Sequence, residues 1–141
     1  EKIALRDDDG STADALAALR SRGISVAYDD FGTGYASLSV LRRLPVDRVK
    51  IDRSFVRDVI GNRGDAAIVR SILLIARNFD LRVIAEGVET PEQAELLHGL
   101  GCQEAQGFLY SPALPAREFQ RWVTQRVRTA ALQQMTAVGH A

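Results

Sequence analysis

Asp29, Asp30, Phe31, Gly32, Thr33, Gly34 and Tyr35 are the residues whose types and spacing could do chemistry. An apolar run over 24–28 leads into them, so the two carboxylates stand at the end of a strand. Carboxylates there are costly unless a cation or a partner compensates them. Glycines at 32 and 34 let the backbone turn and approach a ligand closely. Adjacent carboxylates at a turn suit a hard cation, Mg²⁺ or Mn²⁺. Other readings are available for the same seven residues. Asp-Phe-Gly occurs in protein kinases, but the Gly-rich loop, the Val-Ala-Ile-Lys strand and the His-Arg-Asp loop are absent. Gly-Thr-Gly lacks the third glycine and the Lys-Ser/Thr ending of a phosphate loop. A turn with solvated aspartates is the plainest alternative.

These residues need elements to position them. Ser11 or Thr12 can cap a first helix that stops at Gly23. A strand over 24–28 follows, then a short helix over 35–43 that ends before Pro45. A second strand is expected over 48–52. Asp65 is placed to cap an amphipathic helix carrying Ile68, Val69, Ile72, Leu73, Ile75, Ala76 and Phe79. A third strand over 81–85 ends in Glu86 and Gly87. Thr90, Pro91 and Gln93 spell a capping box with proline at the first helical position. A fourth strand is expected over 104–108, and Pro115 opens a last helix that frays after Arg128. Alternating strands and helices with short connections mean βαβ units and a parallel sheet.

Strand parity sharpens the reading, because residues two apart share a face. One face of the four strands is apolar: Val26, Val49, Ile51, Val83, Ala85 and Ala105. The other presents Asp29, Lys50, Glu86 and Gln106. A sheet covered by helices on both sides has no use for that second face. A barrel does, because its inner face opens into a site at the C-terminal mouth. A (β/α)8 barrel takes eight strands and roughly 250 residues; this chain has 141.

Composition removes several function classes. Eighteen basic and eighteen acidic side chains cancel, so no bulk electrostatic partner such as duplex DNA is expected. One cysteine, Cys102, cannot form an internal disulfide and reads as a small buried residue in a reducing, cytoplasmic compartment, whether or not the parent is attached to a membrane. No stretch is long and apolar enough to be read as a bilayer span or a leader. His98 and His140 read as surface residues, Asp47 and Glu89 as structural. Arg117, Arg121, Arg126 and Arg128 read as a solvated helix face.

Four signatures, taken together, resemble the C-terminal half or so of the EAL domain, the bacterial cyclic di-GMP phosphodiesterase. They are Asp29-Asp30-Phe31-Gly32-Thr33-Gly34-Tyr35; Leu44-Pro45-Val46-Asp47 running into Lys50-Ile51-Asp52-Arg53-Ser54-Phe55-Val56; Val83-Ile84-Ala85-Glu86-Gly87-Val88-Glu89-Thr90; and Gly101-Cys102 followed by Gln106-Gly107. They stand in family order and at family spacing over residues 1–128, with 129–141 left as a tail. The resemblance implies the C-terminal part of a TIM-like barrel and metal-dependent hydrolysis of cyclic di-GMP to the linear dinucleotide pGpG.

It also implies roles. Asp29 and Asp30 correspond to metal-binding aspartates, with Mg²⁺ or Mn²⁺ as the ion. Lys50 corresponds to the lysine near phosphate and attacking water, Glu86 to the general base or second-metal ligand, and Gln106 to the glutamine near the metal-bound water. The segment from Phe31 to Ser37, with Gly32, Thr33, Gly34 and Tyr35 in it, corresponds to a mobile loop that shapes the site and, with its neighbouring helix, contributes to a homodimer. Glu1 aligns, with a one-residue offset, to the glutamate that steadies this loop. The Glu-Ala-Leu signature and two upstream metal ligands have no counterpart here, so the isolated chain is expected to be inactive. Gln103, and Pro112 with Ala113, depart from the family pattern away from the site. The chemistry fits the residues: a compact ammonium suits phosphate, and a carboxylate can take or relay a proton. Structural roles stay open. Lys50 could simply pair with Asp29 or Asp52, Glu86 could cap its glycine turn, and Gln106 could be a bystander. A degenerate domain that binds cyclic di-GMP or a protein without cutting is the competing function.

Overall fold

The structure is a computed structural model that describes residues 10–33 and 38–138, without side chains at 39, 40 or beyond 127. Two compact units make up the chain, Glu1–Tyr110 and Ser111–Ala141. In the first, α1 (Gly10–Ser21) precedes β1 (Ala27–Phe31), α2 (Leu38–Arg43) and β2 (Arg48–Ile51). Next come α3 (Arg53–Arg57), α4 (Arg63–Asn78), β3 (Arg82–Glu86), α5 (Pro91–Gly99) and β4 (Glu104–Gln106). The strands form one parallel sheet in the order β1-β2-β3-β4. Sequence order and spatial order coincide, as in a succession of βα units.

The apolar strand face is the core. Val49 lies opposite Val83 and Ile51 opposite Ala85, and all four are essentially inaccessible. Val69, Ile72, Leu73 and Ala76 of α4, Val56 of α3 and Leu97 of α5 belong to the same buried cluster. Lys50 and Glu86 stand on the opposite, half-exposed face. Arg48 and Arg82 pair in register at the N-terminal end of that face, and both reach Oε1 of Glu104, at 3.6 and 3.5 Å.

Several boundaries differ from the sequence reading, each for a local reason. The first strand begins at Ala27 rather than at 24. Asp47 accounts for this: its Oδ2 accepts the Val26 N–H at 2.8 Å, while Val26 O accepts the N–H groups of Asp47 and Arg48. The strand ladder starts only beyond this clasp, at Ala27 opposite Arg48. Ser11 and Thr12 lie inside α1, not at its cap. Asn62, not Asp65, caps α4; its Oδ1 accepts from Gly64 N and Asp65 N at 2.8 and 3.3 Å. The face α4 buries starts at Ala66, while Ile68 and Phe79 are exposed. Helix α3 was not anticipated. It is barely over one turn and starts where Asp52 accepts both Ser54 N and Ser54 Oγ. The expected capping box on α5 is present in full. Cys102 is buried as expected; desolvation raises its thiol pKa. His98 and, in the second unit, Arg117, Arg121 and Arg126 are exposed as read.

In the second unit, α6 (Ala116–Val138) runs past the point near Arg128 where the apolar pattern loosens. Phe119 and Trp122 stack on it at 6.1 Å, with the Arg126 guanidinium 4.9 Å from the indole centroid. Among the described residues no helix is long and apolar enough to cross a membrane.

Asp47 acts as the structural residue anticipated. Besides Val26 N it receives Arg20, whose Nε lies 2.9 Å from Oδ1. The Val26 N–H bond foremost, then Arg20 and the nearby Arg48, hold its carboxyl below the usual aspartate pKa of 3.8. A depressed folded-state pKa means stability that is present above the unfolded value and lost as pH falls through the folded one. Asp47→Asn is therefore expected to lower the melting midpoint at pH 7 and to narrow that gap to the wild type below about pH 4. Thermal melts from pH 7 to pH 2 check this; a gap that stays constant would rule out the charge as its source.

Candidate active site

A single inserted residue in β1 builds the site. Tyr28 pairs with Val49 and Phe31 with Ile51, so three steps on β1 match two on β2. This is a β-bulge, and it changes which side chains share a face. Asp30, at φ 51°, takes the left-handed conformation that absorbs the extra residue; Asp tolerates it better than most residues. Tyr28 and Phe31 then pack edge to face at 6.0 Å, Phe31 within the core and Tyr28 against it. Simple alternation would have put Asp29 and Phe31 on one face and Asp30 with Tyr28 on the other. The bulge instead brings the carboxylates of both aspartates to Glu86.

Ligand-capable oxygens of Asp29, Asp30 and Glu86 lie within 4.8 Å of one another. The cluster is built from two strands that are not neighbours, β1 and β3, with β2 between them supplying Lys50. The Lys50 ammonium bridges the outer two. It donates to Asp29 Oδ1 at 3.0 Å and makes a close ion pair with Glu86 Oε1. Burial alone would push Lys50 toward the neutral amine, and it is the largest single influence. The hydrogen bonds from Glu86 and Asp29, with their charges, together outweigh it and hold the pKa above 10.5. The lysine is thus a fixed cation throughout the physiological range.

Gln106 closes the group from β4. It lies opposite Glu86 in the ladder, and its Nε2 donates to Glu86 Oε1 at 2.6 Å. Glu86 therefore faces Lys50 and Gln106. Of the two partners weighed for Lys50, Asp29 is used, while Asp52 caps α3. Sequence reasoning did not single out Asp52 for the site. Its carboxyl is held below the ordinary value first by the Ser54 hydroxyl, then by the Ser54 N–H, with the Asp30 side chain close by. Asp30 thus has a second carboxyl beside it. The signal was available: Asp52 follows Lys50 by two residues.

The loop residues divide. Phe31 is buried, and Gly32 turns at φ 103° with Phe55 and Ile72 packed where a Cβ would sit. Thr33 donates to Asp30 O at 2.9 Å. Glu1, Gly34 and Tyr35 lie outside the described residues.

The donor set fits a hard divalent cation. Three carboxylates converge, all donors are oxygen, and one ammonium leaves the group with net negative charge. Asp29, Asp30 and Glu86 would hold such an ion.

The family model for the EAL domain matches residues 1–113. The chain belongs to the EAL-domain family. It is 45% identical over 118 residues to the bifunctional diguanylate cyclase/cyclic di-GMP phosphodiesterase MucR of Pseudomonas aeruginosa, covering 84% of this chain and 17% of MucR. The EAL domain of Mycobacterium smegmatis DcpA superposes with a TM-score of 0.81 at 45% identity, over 86% of this chain and 54% of that one. Klebsiella pneumoniae BlrP1, solved as a manganese/cyclic di-GMP complex, matches with a TM-score of 0.64 at 41% identity, over 70% of this chain and 25% of BlrP1. The chain thus spans about half of the DcpA EAL domain and under a fifth of MucR. Its four-stranded parallel sheet is part of a TIM-like barrel, the fold of EAL domains.

Proposed function

We propose that this chain is the C-terminal part of an EAL domain that hydrolyses cyclic di-GMP to the linear dinucleotide pGpG. The observation that carries the reading is the convergence of Asp29, Asp30 and Glu86 around Lys50. Asp29, Asp30 and Glu86 would hold Mg²⁺ or Mn²⁺. When bound, such an ion supplies an acidified water and a charge clamp on the phosphodiester. Lys50 is a fixed positive charge beside that position and can meet a nonbridging phosphate oxygen. Glu86 is the base that takes a proton at Oε2, since Oε1 is engaged by Lys50 and Gln106. Gln106 holds Oε1 through its amide and so fixes which lone pairs are presented. All these groups sit on strand ends of the rigid sheet, which limits the reorganisation needed during reaction.

The residues kept here favour hydrolysis over a binding-only role, because binding alone needs neither the tandem aspartates nor the base. The isolated 141 residues are expected not to turn over, since the rest of the barrel wall completes the site. A homodimer formed through the segment after Asp30 and helix α2 belongs to the same reading.

Asp30→Asn in the complete domain tests the metal role. Asn accepts the left-handed backbone as readily as Asp, so the fold should persist with an unchanged melting midpoint. Manganese affinity, read by calorimetric titration, should fall by at least about 10–100-fold, the loss typical for disturbing a metal site, and turnover with it. Unchanged affinity, together with turnover that survives a chelator, would remove the metal-dependent hydrolase reading.

A further inference from the structure

We propose that Gln93 is a positioning residue that locks Glu86 in register with the β2 side of the site by tethering two βα loops through one buried amide. Among the described residues it is a buried polar side chain, 6% exposed, and the sequence assigns it only a helix cap. Its amide does more. Oε1 accepts from Glu89 N at 2.8 Å and Thr90 N at 3.1 Å, on the segment that follows Glu86. Nε2 donates to Arg57 O at 3.0 Å and Val56 O at 3.3 Å, at the C-terminal end of α3, some 36 residues away in sequence. One side chain thus bonds four backbone groups, two on the loop after β3 and two at the end of α3.

The tether has a short path to the site on both sides. Glu89 lies three residues from Glu86. Helix α3 begins at the Asp52 cap, two residues from Lys50. The intervening backbone is tight: a Cβ at Gly87 would stand 2.7 Å from Arg53 Cβ, at the start of the same helix. The β2–β3 ladder sets register as far as Ile51 opposite Ala85, and beyond that last pair the packing of the loop after β3 on α3 holds the Glu86 backbone. The amide opposes parting of that loop from α3 chiefly through Arg57 O, since Val56 O also accepts from the N–H groups of Asp58 and Val59. A displacement of about 1 Å at a reacting group can cost ~10²-fold in rate.

The inference rests on Glu86 being the proposed base, and the experiment separates the two claims. Gln93→Glu in the complete domain keeps the acceptor oxygen for Glu89 N and Thr90 N, and so keeps the helix cap. A carboxyl facing Val56 O and Arg57 O repels both when ionised and can donate to only one of them when protonated, so the tether is weakened in either form. Thr90→Val removes the reciprocal cap bond and leaves the tether. At saturating manganese and substrate, Gln93→Glu is expected to lower kcat by about 10–100-fold with KM within about twofold, and Thr90→Val to leave kcat near wild type. Hydrogen exchange on the unmutated protein gives a second readout. The amides of Glu89 and Thr90 should be as protected as those of β3. Gln93→Glu that melts lower yet keeps wild-type kcat would overturn the proposal, as would fast exchange at Glu89 and Thr90. Should Gln93→Glu fail to fold, the exchange result decides. Should the unmutated protein not turn over at all, the hydrolase reading falls, and exchange still decides whether Gln93 holds the loop.

Discussion

Glu86→Gln in the complete domain is expected to leave the fold and nucleotide binding in place and to cut turnover by at least ~10²-fold. The substitution keeps volume and removes charge. Glu86 sits at the end of β3, with Ala85 before it fully buried and Gly87 after it packed on Arg53. The backbone there is set by packing, so the new amide should occupy the same place. Lys50 keeps Asp29 as its counterion at 3.0 Å. The lost ion pair is mostly buried, with side-chain exposures of 21% and 15%, so its loss carries a stability cost that the remaining Asp29 counterion offsets in part. Removal of a general base costs ~10²–10⁴-fold in rate. A purely structural Glu86 gives the reverse pattern: a lower melting midpoint and a near-normal rate per folded molecule. Thermal midpoint, nucleotide affinity and single-turnover rate on the same preparation separate the two. A less stable variant that cuts at near wild-type rate would take Glu86 off the catalytic list.

Lys50 and Glu86 were legible because β2 and β3 pair without irregularity. Alternation then holds, and Val49, Ile51, Val83 and Ala85 are buried as parity requires. The capping box at Thr90 was legible because its two bonds lie within three residues. Asp29 and Asp30 were legible as residues but not as geometry. Parity assigns adjacent residues to opposite faces, and only a bulge aims both at one site. A bulge leaves no periodic trace, because it depends on which residue of β1 meets Val49 and which meets Ile51. The start of β1 was misplaced for a related reason. Ile24 and Val26 look like strand residues, but Asp47, 21 residues on, takes the Val26 N–H. Gln93 shows the same limit: its cap bonds are local and visible, while its bonds to Val56 and Arg57 span the fold.

Gly107→Ala is expected to be the most destabilising single-methyl change in the described fold, although glycine to alanine is often benign. The reason is contact with backbone. A Cβ built at Gly107 would overlap Val88 N and O and lie 2.7 Å from Val88 C. Side chains can swing away, but this backbone is fixed from both sides. Val88 N donates to Gln106 O at 3.0 Å, and Leu109 N donates to Val88 O at 3.0 Å. Val88 itself is fully buried. The added methyl must therefore push the loop after β3 away from the turn after β4. Overpacking of this kind costs about 3 kcal/mol or more when the neighbour cannot yield. For a barrel-sized domain that corresponds to a melting midpoint lower by about 6–12 °C. The displaced turn also carries Gln106, so its bond to Glu86 should lengthen and the rate fall alongside stability. Gly99→Ala is the matched control. Gly99 ends α5, and a Cβ there meets nothing within 4 Å, so alanine should be neutral or stabilising by up to ~1 kcal/mol. Differential scanning calorimetry on the two variants gives the comparison. Equal midpoints for both would mean that the turn after β4 does not rest on Val88.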